Sequence, residues 1–200
     1  TTCSSSSARG SRKGAAVATL PGKTPTPPIG PVPVVIPAWI PVALGEIGVL
    51  EDIRPGLSTA RIEDYHAVTG AGRAPDDVPW CASFVSWCLE QCGIRSTRSK
   101  TARSYAAWGV ACVRSSKVAP PRPRWTIGAV TVFGPRDADA GGTGHVAFLL
   151  GASGPDVWVL GGNQGNRVSI AQRKAADVIA VRWPESVAIP TSIRPPPVAR

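Results

Sequence analysis

The sequence predicts an α+β fold in which N-terminal helices pack on an antiparallel β-sheet. Two observations carry this. Apolar residues at helical spacing are confined to the first half of the central region, while short β-branched runs fill the second half, from Gly128 to Trp183. The connections between those runs are too short for crossover helices, so neighbouring strands pair antiparallel, and helices followed by strands give segregated layers.

Residues 1–37 read as a basic leader, Ser-rich at Ser4–Ser7 and then carrying seven prolines from Pro21 to Pro37, which describes a flexible segment and a semi-rigid polyproline-like spacer. Residues 186–200, with Pro195-Pro196-Pro197, form a second Pro-rich tail, and the folded domain is expected at 38–185. From Ala38 to Ile47, Trp39, Val42, Ala43 and Ile47 share one helical face, with Pro41 in the first turn and Gly48 as a stop. Ser58 or Thr59 caps a second helix running to Val68 and ended by Gly70. His66, in Glu63-Asp-Tyr-His66, is expected on its charged surface face. A loop with Pro75, Asp76, Asp77 and Pro79 leads to a helix from about Trp80 to Gln91, stopped by Gly93, and Thr101 to Trp108 reads as a short fourth helix. Beyond the proline-rich connection around Pro120–Pro123, strands are expected at 128–133, 145–150, 157–160, 167–170 and 178–183.

Two hundred residues with 43% apolar content can bury one core. The longest apolar candidate, Ile29–Leu50, is broken by prolines and glycines, so no membrane span is expected, and residues 1–19 lack the apolar core of a signal peptide. The chain contains no methionine, and its numbering need not begin at a native start. Of the net charge of +9, residues 1–37 supply four basic side chains without an acid and residues 186–200 supply two. Charge placed in tails suits loose contact with anionic polymers, and no nucleic-acid motif accompanies it.

Five cysteines stand at positions 3, 81, 88, 92 and 112, an odd number that leaves at least one thiol unpaired within the chain. Cys81, Cys88 and Cys92 with His145 do not make a metal set, because there is no CxxC element and Cys88 falls in an apolar run. No metal or cofactor is expected. Cys81 itself opens a helix, where unsatisfied N–H groups and the dipole favour thiolate over thiol. His145 heads a strand after the Gly141-Gly-Thr-Gly144 loop, and Asn163 follows the next strand in Gly161-Gly-Asn-Gln164. A thiol, an imidazole and an amide in these places suit a nucleophile, a base and an orienter, the layout of a cysteine hydrolase. Asn163 is equally a residue that tolerates turn geometry, with Gln164 and Asn166 as weaker candidates for the orienting task.

Taken together, Pro79-Trp-Cys-Ala-Ser-Phe-Val85, Thr101-Ala-Arg-Ser-Tyr105 with Trp108-Gly109, Gly128-Ala-Val130, Gly144-His-Val146 and Gly161-Gly-Asn-Gln164 resemble the NlpC-type papain-like cysteine peptidases. The closest branch occurs in phage lysis and tail proteins and in bacterial cell-wall enzymes, and the likeness runs from about Trp39 to Pro184. It implies a papain-like core, hydrolysis of amide bonds in peptidoglycan stem peptides through a thioester, and action at the cell wall in the periplasm, outside the cell or after phage delivery. Carried over by position, Cys81 is the nucleophile, His145 the base and Asn163 the orienter. The commoner motif has Asp before the cysteine and Ser after it; here Trp80 and Ala82 stand there, with Ser83 one place later, so the oxyanion-hole partner is unassigned. Two other functions fit the same residues: a catalytically silent wall-peptide-binding module, and an amidase toxin with an immunity protein as partner.

Overall fold

The computed structural model describes residues 35–112, 124–134 and 144–190. Most of the leader and of the C-terminal tail, Cys3, the connection at Pro120–Pro123 and residues 141–143 of the glycine loop lie outside the described residues. Helix α1 spans Trp39–Gly45, with Pro41 in the first turn, where its missing N–H has no helical acceptor to lose. It buries Trp39, Ile40 and Ala43. Helix α2, Ala60–Ala67, starts after Thr59 as expected, but the Thr59 side chain does not cap it. Its Oγ1 donates instead to the Leu50 carbonyl at 2.7 Å. The Asp76 carboxylate, buried in the loop before α3, accepts from the Thr59 and Asp52 backbone N–H groups at 2.8 Å each. The capping group therefore comes from a distant loop and pins the 52–59 segment to it.

Helix α3, Cys81–Gln91, is buried without interruption from Cys81 to Leu89 and is the central helix of the molecule. Tyr65 lies against Trp80, Phe84 and Trp87 with ring centroids 5.8, 5.4 and 5.3 Å away, which locks α2 onto α3. Glu46, just past α1, accepts from Tyr65 Oη at 2.6 Å and from Arg61 Nε and Nη2 at 2.8 and 2.6 Å, joining the first two helices. His66 corrects the surface expectation: it is fully buried, and its Nδ1 lies 2.9 Å from Ser83 Oγ. The charged neighbours Glu63 and Asp64 disguise a face on which Ile62, Tyr65 and His66 all turn inward.

The strands are β1 Val110–Ala111, β2 Val130–Phe133, β3 His145–Ser153, β4 Asp156–Gly161, β5 Ser169–Lys174 and β6 Val178–Trp183. They form one antiparallel sheet in the order β1-β6-β2-β3-β4-β5, so the α+β expectation holds. Strand β1 is two residues long, too short to leave a pattern in the sequence, and the expected fourth helix is the 3-10 helix Ala102–Ala107. Helix α3 packs on β3 and β4, with Phe84 against Phe148 at 6.4 Å between centroids. The core reaches past the expected boundaries: Pro37 accepts from the Ile40 N–H, and Val187 and Ile189 pack on it, with Trp183 Nε1 donating to the Val187 carbonyl at 2.9 Å.

Candidate active site

Trp80 occupies the N-cap position of α3, so Cys81 is its first residue and lies at the dipole's positive end. What fixes that end is the turn after β4. Gly162 presses on it so closely that a Cβ there would lie 2.6 Å from Trp80 Cε3 and 2.7 Å from Phe84 Cβ; Gly161 is pressed likewise on Ala147 Cβ, at 2.8 Å. The Gly161-Gly162 pair is therefore a packing requirement, which brings the turn of residues 161–166 against the start of the helix.

His145 opens β3 opposite Phe133 of β2, and Gly144 before it takes φ +59°, with the Phe133 carbonyl oxygen 3.0 Å from where its Cβ would stand. The backbone N–H of the next residue, Val146, favours the Cys81 thiolate, so the strand that carries the imidazole also acts on the sulfur. The ring's partner is Gln164: His145 Nε2 lies 3.2 Å from Gln164 Oε1. The Gln164 amide is set by its other end, where Nε2 donates to the carbonyls of Gly161 at 3.3 Å and Ser169 at 2.6 Å. Its oxygen can then only accept, which places the imidazole proton on Nε2 and leaves Nδ1 with the lone pair.

Asn163 stands elsewhere. Its backbone takes φ +54°, the left-handed turn conformation. The amide orientation that satisfies its neighbours donates to Glu51 Oε1 and accepts from the Trp80 N–H, each at 3.3 Å. Glu51 Oε1 also accepts from Trp80 Nε1 at 2.8 Å. Asn163 thus holds the residue before Cys81, while Gln164 makes the contact with His145 that was expected of Asn163. The distinction was hidden because the two amides are adjacent and only the left-handed turn decides which of them faces the ring. Ser83 is not a donor to the site: it is buried and engaged by His66.

Burial governs the protonation states. Desolvation pushes the Cys81 thiol up, outweighing the lowering by the Val146, Ala82 and Cys81 N–H groups and by the nearby Arg173 cation. Desolvation, then the charge of Arg173, depress His145 to about 4, against a small opposing effect of Gln164. Both shifts favour the uncharged forms, thiol and neutral imidazole, whereas a helix start alone favours thiolate. Beside His145 a pocket of about 390 Å³ is lined by Phe133, Gly134, Gly144, His145, Arg173 and Asp177.

Residues 73–163 match the CHAP domain. The match takes in Cys81, His145 and Asn163 and ends one residue before Gln164. It bears out the likeness of these motifs to the NlpC-type papain-like superfamily, in which CHAP domains are typically cysteine- and histidine-dependent amidohydrolases or peptidases of the peptidoglycan-hydrolase type. Among solved structures, the chain is similar to one described as similar to lipoprotein, NLP/P60 family, from Staphylococcus aureus subsp. aureus Mu50. Identity is 15% and the TM-score 0.39, over 72% of this chain and 40% of that one, so the chain spans about two fifths of that protein's length. No curated protein matches. Among the described residues no helix is long and apolar enough to cross a membrane, and no cluster of three or more His, Cys, Asp or Glu side chains could hold a metal.

Proposed function

We propose that this CHAP-matching chain is a cysteine peptidase or amidase that cleaves amide bonds in peptidoglycan stem peptides. The Cys81 sulfur attacks the amide carbonyl while its proton passes to His145 Nδ1. Collapse of the tetrahedral intermediate breaks the C–N bond, the imidazolium returns the proton to the leaving amine, and a thioester remains. Water, deprotonated by the same nitrogen, then hydrolyses the thioester and regenerates the thiol. Gln164 orients the ring, and Asn163 and Glu51 position Trp80 and with it the start of α3. The observation that carries the reading is the Nε2–H tautomer fixed by Gln164, on a strand whose next N–H favours the Cys81 thiolate.

A neutral, buried pair is suited to proton transfer during attack rather than to a standing ion pair. The burial that raises the thiol also fits the silent wall-binding module, so activity must be measured directly. Purified peptidoglycan incubated with the chain should release fragments whose masses show water added across one amide bond, and Cys81→Ala should release none. Absence of release by the unaltered chain, or equal release by Cys81→Ala, would sink the proposal.

A further inference from the structure

Strand β5 alternates between partly buried and exposed positions, and Arg173 falls on the partly buried side. Its guanidinium carbon lies 5.3 Å from the centroid of the Phe133 ring. Apart from that stacking it has no hydrogen bond or ion pair among the described residues, and its Nε is shut off from solvent without a partner. Asp177 lines the same pocket and attracts it through space, but not at salt-bridge distance. Other partly buried charges in the molecule are treated differently: Glu46 and Glu90 both have arginine partners. Arginine drawn out of water is ordinarily paired, because the desolvation it suffers is otherwise uncompensated. Here a guanidinium without a hydrogen-bonded partner among the described residues lines the pocket that His145 also lines. Its planar fork matches a carboxylate, the anion a peptide carries.

We propose that Arg173 anchors a carboxylate subsite, which takes a free carboxylate of the substrate on the residue adjoining the cleaved amide. The assignment rests on the peptide-hydrolase reading above and names the chemistry that the site selects. Phe133 forms the apolar floor on which the guanidinium lies. A bound carboxylate also answers the cation that depresses His145, so a correctly charged substrate makes the imidazole a better proton acceptor.

The test uses full-length Cys81→Ala, which binds without turnover, and synthetic stem peptides in which each free carboxylate is replaced singly by its carboxamide. Titration should show one carboxylate whose amidation weakens binding by about 10- to 100-fold, the range for a charge-assisted hydrogen-bonded pair. In Arg173→Gln that preference should fall to less than about twofold, and in Arg173→Lys part of it should return, since the charge is kept and the fork lost. Equal binding of every peptide, or an undiminished preference in Arg173→Gln, would overturn the subsite. Thermal shift of the unaltered chain guards against a variant that does not fold: the carboxylate peptide should raise the melting temperature more than its amide, and equal shifts count against the proposal. The two readings fail separately. Cleavage of peptidoglycan without carboxylate preference ends this inference alone; an Arg173-dependent preference without cleavage ends the hydrolase proposal alone.

Discussion

Both ends of the Gln164 amide are committed, one to two backbone carbonyls and one to His145, so its orientation does not depend on the ring it holds. Gln164→Ala should therefore lower kcat on muropeptides by roughly 10- to 1000-fold with little change in KM, the signature of a lost orienter. Asn163→Ala should instead act through Trp80, lowering the melting temperature along with activity; a Gln164→Ala variant at full rate would return the orienting role to Asn163. Acid should weaken the fold through the same residue. His145 holds its proton less tightly folded, at about 4, than unfolded, at 6.5, so the unfolded state binds more protons between those values. The stability is complete above pH 6.5 and is lost as pH falls toward 4, by roughly 1–3 kcal/mol. Urea unfolding at pH 7 and 4.5 should show it, and His145→Asn should reduce the difference; an unchanged pH dependence in that variant would show that the ring does not titrate as stated. The buried His66, also depressed by desolvation, adds a loss of the same sign. The places of Cys81 at a helix start and His145 at a strand start were legible in the sequence. The protonation of the thiol was not, because burial by β3 is a tertiary effect that no local signal at Pro79-Trp80-Cys81 reports.

At the scale of elements, one tight joint is the 161–166 turn against the start of α3. Gly162→Ala should cost roughly 1–3 kcal/mol, since its Cβ would meet both the Trp80 ring and Phe84. It should also lower activity in conditions where the protein is still folded, because relief requires Trp80, and so Cys81, to move. A variant with wild-type urea midpoint and rate would show that the turn simply retreats. Cys88→Ala, fully buried on α3, should cost about 1–3 kcal/mol in the same assay and leave the chemistry intact; Cys92 is only partly buried and should cost less. The glycine pair was readable as a turn but not as a packing contact, because the sequence does not say what approaches it. The 178–183 run declared its strand through Val178, Ile179 and Val181, and the 145–150 run as a short apolar stretch after a glycine-rich loop, whereas β1 owes its existence to pairing with β6.

The whole domain is larger than composition suggested, since Pro37, Val187 and Ile189 contribute to packing. A chain trimmed to residues 35–190 should unfold cooperatively within about 3 °C of the full one, because neither removed tail has the apolar content to offset its ordering entropy. Trimming removes six basic side chains and no acidic one, so it should weaken adsorption to whole cell walls at low salt far more than at high salt. Equal adsorption at both would assign wall contact to the folded core. The layer order was legible because helical and strand periodicities occupy separate halves of the chain, the same separation that divides the site. Cys81 belongs to the helical half, while His145, Gln164 and Arg173 all belong to the sheet half. During synthesis, at about 5–20 residues per second, the thiol is made some 5–20 seconds before the last of these residues. Until the sheet closes on α3 there is a sulfur without a base beside it. On the proposed function, a chain built in this order stays inert while it is being made, with the order of its parts along the chain acting as the safety catch.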